Sequence, residues 1–236
     1  MTSIDIRGGQ ATAAGHTVKL GNTGKVLFPD DGITKGELIE YYRQVAGRML
    51  PYLGDHPIAM ARYPDGITRQ RIFQKNPAAY YPGWVLAGEL NLTCYVKTTG
   101  GKGLHVHLPL NHRQDFEEAR GFARDAANVL AARHPDVVTT EQRKDARGGR
   151  VYADIMRDSY AQTVVAPCSV RGRPGAHVAT LLLWEEAEDP GLSPGRFTLR
   201  TIGERLAEVA DPWAGLSRRC YDVATARHRL AALAGK

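Results

Sequence analysis

The glycine-rich stretch TTGGKGLHVH, residues 98–107, carries the side chains best suited to chemistry on an anion. Its three glycines allow backbone conformations with positive φ and let a ligand approach backbone N–H groups. Lys102 adds a mobile positive charge and Thr99 a hydroxyl, while His105 and His107 would share one face of the following strand. The pattern fits an anion-binding turn and, equally well, an ordinary hairpin with two surface histidines. The GxxxxGK[ST] spacing of a Walker A loop is absent.

Lys25 and Lys35 form a second candidate anion site. Thr34 stands three residues before Glu37, a capping box that predicts the start of a helix. Lys35 falls in the first turn of that helix, where free N–H groups and the helix dipole favour an anion. A lysine at this end is unfavourable for the helix itself, which a bound phosphate would explain. The alternative is a solvated surface lysine.

Three further positions have side chains that suit phosphate or metal. Asp154 lies in RVYADIM, a predicted strand otherwise built for burial, where a carboxylate needs a metal, a salt bridge or water. Arg171 and Arg173 offer the fork geometry that binds phosphate, or they are solvated loop charges. Lys75, in FQKN, closes a predicted hairpin and would join the patch of Lys25.

Composition narrows the class of protein. The chain has 236 residues, is 43% hydrophobic and carries a net charge of +6, which fits a polyanionic partner without proving one. Its three cysteines are far apart, so neither a metal motif nor a disulfide framework is indicated. No apolar run suits a membrane span and no signal peptide is recognisable. We therefore expect a cytoplasmic protein with no membrane partner.

The periodicity of the chain predicts an α/β (α+β) fold with mixed β-sheets flanked by helices. We expect a loose tail over residues 1–16, one main domain over 17–216 and a C-terminal helix over 217–236. Within the main domain, helices are predicted from Thr34 to about Leu53 and from about Gln114 to Ala132, and the glycine turn is predicted to join two strands.

Several long segments resemble, in order, the polymerase domain of bacterial DNA ligase D, a member of the archaeo-eukaryotic primase superfamily. The segments are KVLFPDDGITKGELIEYY, MLPYLGDHPIAMARYPDGI, FQKN, CYVKTTGGKGLHVHLPL, RVYADIMRDSYAQTVVAPCSVRGRPG and the tryptophan of LLLWEE. The resemblance implies a primase-type catalytic core that acts in non-homologous end joining. Such a domain is a nucleotidyltransferase that binds 5′-phosphorylated DNA ends and adds nucleotides or ribonucleotides to a 3′-OH.

The resemblance also implies roles for individual residues. The family lysines that hold the DNA 5′-phosphate correspond to Lys25 and Lys35. Lys75 belongs to the same site if it joins their patch. Thr99, Lys102 and His105 match the (Ser/Thr)-Gly-x-Lys-Gly-x-His motif that contacts the phosphates of the incoming nucleotide, and His107 lies outside that motif.

The remaining implied residues belong to the metal and triphosphate sites. Asp154 matches the last of three aspartates that bind Mg²⁺ or Mn²⁺ and, with His105, would be catalytic. Arg171 and Gln162 lie where the family lines the triphosphate pocket. The implied partners are double-stranded DNA ends or gaps with a 5′-phosphate, NTP or dNTP, a Ku-type end-binding protein and a ligase.

One departure from the family pattern concerns the metal. Family members carry an Asp-x-Asp pair on a strand before the glycine motif, but no Asp-x-Asp occurs in this sequence. At Val85–Leu86 a predicted loop continues directly into what resembles the end of the helix that normally follows this strand. Glu89-x-Asn91 is a poor substitute. Two-metal nucleotidyl transfer needs carboxylates that hold both ions, which Asp154 alone does not supply. Two hypotheses follow: an end-joining polymerase domain, or a degenerate module that binds DNA ends without extending them.

Overall fold

The computed structural model describes residues 4–13, 15–54, 56, 58, 61, 63, 65–68, 90–111, 113–156, 162–193 and 195–234. Lys75, most of the predicted hairpin that leads to it, Val85–Leu86 and Glu89 lie outside the described residues.

Strands and helices alternate along the chain. The strands are β1 (Asp5–Arg7), β2 (Gln10–Ala13), β3 (His16–Lys19), β4 (Val26–Phe28), β5 (Ile33–Thr34), β6 (Tyr95–Thr98), β7 (Leu104–His107), β8 (Val138–Thr139), β9 (Val151–Tyr152) and β10 (Leu181–Leu182). The α-helices are α1 (Lys35–Met49), α2 (Phe116–Arg133), α3 (Trp184–Glu188), α4 (Ile202–Glu208) and α5 (Val223–Ala234). Strand β8 pairs with β9 in parallel, whereas β6 pairs with β7 and β10 antiparallel. The predicted mixed α/β class is confirmed. None of the helices described is long and apolar enough to cross a membrane.

The chain divides into two compact units. The first comprises Met1–Lys75, Ala166–Ala179 and Gly195–Ala210, and the second comprises Asn76–Val165, Thr180–Pro194 and Asp211–Lys236. The first unit contains α1, α4, the β4–β5 pair and the antiparallel sheet β1-β2-β3. Phe28, Ile33 and Ala176 are the buried centre of one of its apolar clusters.

Helix α1 begins where its sequence predicted. The Thr34 hydroxyl accepts the N–H of Glu37 at 3.2 Å, and the Glu37 carboxylate accepts the N–H of Thr34 at 2.9 Å, which completes the capping box. The N–H of Thr34 has the larger effect in lowering the pKa of Glu37, and the guanidinium of Arg200 lowers it further. The α-helix ends at Met49, before the predicted boundary, because Pro51 has no N–H to continue the ladder.

Residues 4–13, expected as part of a loose tail, instead form strands. Strand β1 pairs with β2 through Ile6 and Ala11, and β2 pairs with β3. Gly8, Gly9 and Gly15 adopt positive φ in the intervening turns, which ordinary side chains resist. Polar composition suggested disorder here, but these turns bring three short segments into register.

The second unit holds the glycine hairpin. Strand β6 is the centre of the sheet β10-β6-β7, and all four of its residues are buried. Helix α2 begins with a capping box between Asp115 and Glu118 and packs with α5 over an apolar cluster that includes Leu130 and Leu230. The predicted C-terminal helix starts later than expected, at Val223, because Tyr221 first bridges to Leu110.

Candidate functional site

The first unit contains a cavity of about 580 Å³ that both predicted phosphate lysines line. Its polar lining residues are Asn22, Lys25, Lys35 and Arg43. Apolar and aromatic side chains supply the rest of the wall, among them Ile6, Leu27, Leu38, Ile39, Tyr42 and Tyr63. The structure therefore brings together Lys25 and Lys35, which are ten residues apart in sequence, on one concave surface beside the start of α1.

The loop before α1 sets the positions of the two lysines. The backbone N–H of Lys35 donates to the carbonyl of Lys25 at 2.8 Å, and that of Gly36 donates to the carbonyl of Thr23 at 2.8 Å. A Cβ on Gly36 would lie 3.2 Å from the same Thr23 oxygen, a tight contact that the loop would have to relieve by moving away slightly. The loop is thereby fastened to the first turn of the helix. Because the N–H groups of Lys35, Gly36 and Glu37 all donate within the protein, the expectation of free N–H groups is wrong here, and the helix offers an anion only the positive end of its dipole.

Each ammonium group already has an oxygen partner. Lys35 Nζ donates to the carbonyl of Gly21 at 2.7 Å, and Lys25 Nζ lies 3.0 Å from Oδ1 of Asp65. Arg43, also in the cavity wall, donates to the Glu40 carboxylate through Nε and one terminal nitrogen, Nη2. These contacts orient the cations. Asp65 is 70% exposed, so a more highly charged anion can displace it from Lys25 at little desolvation cost.

The glycine hairpin of the second unit is closed by Thr99. Its hydroxyl oxygen accepts the N–H groups of Gly101 and Gly103, each at 3.2 Å, and its own N–H donates to the carbonyl of Gly103 at 2.8 Å. The expectation that these two glycine N–H groups face an anion is therefore wrong in this structure, because Thr99 already uses them. Lys102 is exposed on the turn, whereas Thr99 is buried, although its hydroxyl still has a proton to donate.

Replacing Thr99 with valine will destabilise the second unit by about 1 kcal/mol, because two backbone donors lose their acceptor while the side-chain volume is kept. Urea unfolding of the purified protein measures the change. Thr99→Ser is the matched control, since serine keeps the hydroxyl, and it should unfold close to the unsubstituted protein. A valine variant as stable as the serine variant would show that the hydroxyl does not hold the turn.

The two histidines of the hairpin lie in different surroundings. His105 is half-buried, and its ring centroid is 6.0 Å from that of His107. His107 packs on Trp213 at 4.7 Å, and its Nε2 is buried with no hydrogen-bond partner in the described part of the chain. Burial, and then the charges of Lys97 and His105, hold the pKa of His107 well below its ordinary value. His107 is therefore a half-buried side chain with a buried Nε2 and a lowered pKa, rather than the surface histidine of the alternative interpretation.

Lys97 is a residue of this site that sequence reasoning missed. Although lysine is a charged residue, Lys97 is 0% exposed, because it lies on the buried strand β6. Its Nζ is 2.9 Å from Nδ1 of His105 and donates to the carbonyl of Val165 at 2.8 Å. The signal was available: a lysine that directly follows the apolar run CYV, three residues before the first glycine of the turn, faces His105 once the hairpin register is drawn.

Asp154, the predicted metal ligand, is half-buried just after β9, and its Oδ1 accepts the N–H of Met156 at 2.9 Å. The described residues contain no group of three or more His, Cys, Asp or Glu side chains that could hold a metal ion. Together with the missing Asp-x-Asp pair, this donor set does not fit a two-metal centre, which needs carboxylates on both ions. We therefore derive no catalytic step through a metal.

The remaining predicted residues belong to different units. Gln162 is a half-buried residue of the second unit, and Arg171 is a half-buried residue of the first. The backbone N–H of Arg171 donates to the carbonyl of His177 at 2.8 Å, in an irregular stretch that includes Pro167 and the positive-φ residue Cys168. The described structure thus forms two local groups of predicted residues, the lysine cavity and the glycine hairpin.

Comparison with solved structures identifies the class of protein that this fold defines. The structure matches the polymerase domain of Mycobacterium tuberculosis ligase D in complex with DNA, with a TM-score of 0.77 at 23% identity, covering 86% of this chain and 99% of that one. The fold is thus that of a ligase D polymerase domain. A family model for the LigD primase-polymerase domain matches residues 34–88 and 85–213, and the chain belongs to this family.

Curated relatives extend beyond this chain. The multifunctional non-homologous end joining protein LigD of Mycolicibacterium smegmatis is 26% identical over 275 residues, covering 84% of this chain and 36% of the relative. That of Pseudomonas aeruginosa is 26% identical over 300 residues, covering 95% of this chain and 35% of the relative. The chain thus spans about a third of these relatives. Both matches run over more residues than the 236 of this chain, so the relatives carry residues that it lacks.

Proposed function

We propose that this chain binds 5′-phosphorylated DNA ends or gaps and that Lys25 and Lys35 hold the terminal phosphate. The observation that carries this proposal is that both lysines line one cavity beside the N-terminus of α1. A phosphate there would meet two ammonium groups and the positive end of a helix. The solved relative of the same fold, which contains DNA, supports the proposal.

The remaining lining of the cavity fits the same ligand. Asn22 adds an amide and Arg43 a third cation, while Tyr42 and Tyr63 add aromatic surface against which a sugar or base can pack. Lys75, which the sequence assigns to the same site, lies outside the described residues. The net charge of +6 adds long-range attraction to DNA. Since the relatives are end-joining proteins, a Ku-type protein and a ligase are the partners that fit this proposal.

A second candidate function is the addition of nucleotides or ribonucleotides to a 3′-OH. Membership of the LigD primase-polymerase family favours it, and so does a hairpin that carries Thr99, Lys102 and His105 in the order of the family's nucleotide motif. Gln162, Arg171 and Asp154 complete the implied set. DNA-end binding remains the leading proposal because it needs no metal, whereas transfer needs more carboxylates than the described residues group together.

The family matches support an internal gap in this chain. The two segments that match the family model overlap at residues 85–88. At this point PGWV is followed directly by LAGEL, without the strand that the family has between them. Residues missing at this point would have included the strand with the Asp-x-Asp pair. Sequencing the encoding DNA across codons 80–92 tests this directly, because a recovered block with that pair would restore the second candidate to first place.

Binding of labelled gapped DNA, with and without a 5′-phosphate, tests the leading proposal. We expect Lys35→Met to weaken binding to the phosphorylated DNA about tenfold, since one charge-assisted contact to phosphate is removed. Methionine keeps the unbranched stem and the helix propensity, so α1 should remain folded. Fluorescence anisotropy at several salt concentrations measures both affinity and its salt dependence.

The matched control is Lys19→Met, which removes the same charge from an exposed position on β3 outside the cavity wall. It should lower affinity for both DNAs equally and keep the preference for phosphate. The proposal fails if the unsubstituted protein binds both DNAs equally well, or if Lys19→Met and Lys35→Met have the same effect.

Primer extension tests the second candidate. We expect no extension above background with Mg²⁺ or Mn²⁺, because Asp154 is one carboxylate where the chemistry needs several. If extension is observed and disappears on Asp154→Asn, the chain is a polymerase and the carboxylate count is wrong. DNA-end binding would stand in either case, because it is measured without nucleotide or metal.

A further inference from the structure

Lys97 and His105 form a cross-strand pair at the base of the glycine hairpin. The two residues are directly opposite each other in the register of β6 and β7, and Leu181 of β10 is opposite Lys97 on its other side. Lys97 is therefore on the central strand, which explains its complete burial. Because the backbone ladder fixes this register, the ammonium group and the imidazole are held together by the sheet and not by a chance rotamer.

The hydrogen bonds of Lys97 specify which nitrogen of His105 carries the proton. A lysine ammonium has three donors and no acceptor. One N–H of Lys97 donates to the carbonyl of Val165, and Nζ lies 2.9 Å from Nδ1 of His105. A charged Lys97 leaves Nδ1 of His105 as the acceptor, and this arrangement puts the proton of a neutral imidazole on Nε2.

We infer that Lys97 is a positioning residue that fixes His105 as the Nε2–H tautomer, so that Nε2 donates to a phosphate oxygen of a bound nucleotide. The inference rests on the second candidate function for its ligand, but its tautomer is a property of the protein alone. A histidine with a bare Nε2 would turn a lone pair toward the phosphate and repel it. Lys97 removes that state without touching the ligand.

The charge of Lys97 acts on the whole histidine pair. His107, the next side chain on the same face of β7, is kept neutral by burial and by Lys97. The face of the hairpin therefore combines one ammonium group with a histidine, His107, that burial and this charge keep neutral. A neutral donor on a fixed ring gives direction to the contact, while the exposed Lys102 at the tip of the turn supplies charge.

Nuclear magnetic resonance of protein with ¹⁵N-labelled histidine reads the tautomer directly. His105→Gln identifies the signals of His105 among the eight histidines of the chain. We expect the unsubstituted, nucleotide-free protein to show His105 with a bare Nδ1 and a protonated Nε2. A protonated Nδ1 would overturn the inference, and this measurement needs no variant of Lys97 that might fail to fold.

Lys97→Met supplies the second measurement, because methionine matches the length of lysine and has no donor. We expect His105 to become a mixture of tautomers, and the affinity for nucleoside triphosphate, measured by equilibrium titration, to fall about tenfold. In a protein that already carries His105→Gln, Lys97→Met should not lower the affinity for nucleoside triphosphate any further. A merely structural role for Lys97 would leave the tautomer unchanged, and that result would overturn the inference.

Lys102→Met is the matched control, since it removes one lysine from the same hairpin without touching Nδ1 of His105. It should weaken triphosphate binding and leave the tautomer as in the unsubstituted protein. If the unsubstituted protein shows the Nε2–H tautomer but binds no triphosphate, the nucleotide-binding candidate fails and the role of Lys97 in setting the tautomer stands.

Discussion

Replacing Trp213 with alanine will destabilise the second unit by about 3–5 kcal/mol, the range for removing a large aromatic side chain from a core. Trp213 is 3% exposed, and its indole N–H donates to the carbonyl of Val96 at 2.9 Å. Its ring also packs on His107 at 4.7 Å and on Tyr95 at 5.9 Å. The side chain thus supports both strands of the glycine hairpin from one side.

Urea unfolding followed by circular dichroism measures this loss. Trp184→Ala is the matched control, because Trp184 makes the same kind of bond, to the carbonyl of Cys94 at 2.9 Å, but is only half-buried. It should cost clearly less than Trp213→Ala. If the two variants lose the same free energy of unfolding, the packing of Trp213 on the hairpin adds no stability beyond that of its hydrogen bond.

Lowering the pH from 7.5 through the ordinary titration range of histidine will reduce the free energy of unfolding through His107. The unfolded chain takes up a proton at His107 near the ordinary pKa of 6.5, whereas burial keeps the folded pKa well below that value. Between these two pKa values the unfolded state binds one more proton than the folded state. Stability is therefore full above pH 6.5 and falls as the pH drops below it.

Denaturation curves at several pH values test this linkage. The groups that face His107 are Lys97, His105 and the uncharged Trp213, and His107→Phe leaves all three in place while it removes the titrating ring. The pH dependence should flatten in this variant. His228→Gln, at an exposed position on α5, should keep the dependence of the unsubstituted protein. A slope that survives His107→Phe would assign the effect to another group.

Features that depend on neighbours in the sequence were predicted well. The capping box of Thr34 and Glu37 fixes the start of α1, since its hydrogen bonds join residues three apart. The glycine turn and its two strands were predicted for the same reason. The family resemblance, which rests on motifs in order, is confirmed by the match to residues 34–88 and 85–213.

Features that depend on which side chains surround a residue were not predictable in this way. Thr99 could be described from sequence as a hydroxyl for a ligand, but only the folded turn shows its oxygen bonded to Gly101 and Gly103. His105 and His107 have the same residue type, lie on the same face of β7 and are both half-buried, yet His105 contacts Lys97 whereas His107 packs on Trp213, more than a hundred residues away in sequence.

The sequence by itself determined the family, the order of the motifs and the absence of an Asp-x-Asp pair, because these are properties of residue types along the chain. Only the tertiary structure decided that Lys25 and Lys35 line one cavity, that Lys97 is buried against His105, and that burial lowers the pKa of His107. The physical reason is that burial and hydrogen-bond partners come from segments far apart in the chain, and these set the protonation and donor roles of a side chain more strongly than its identity does.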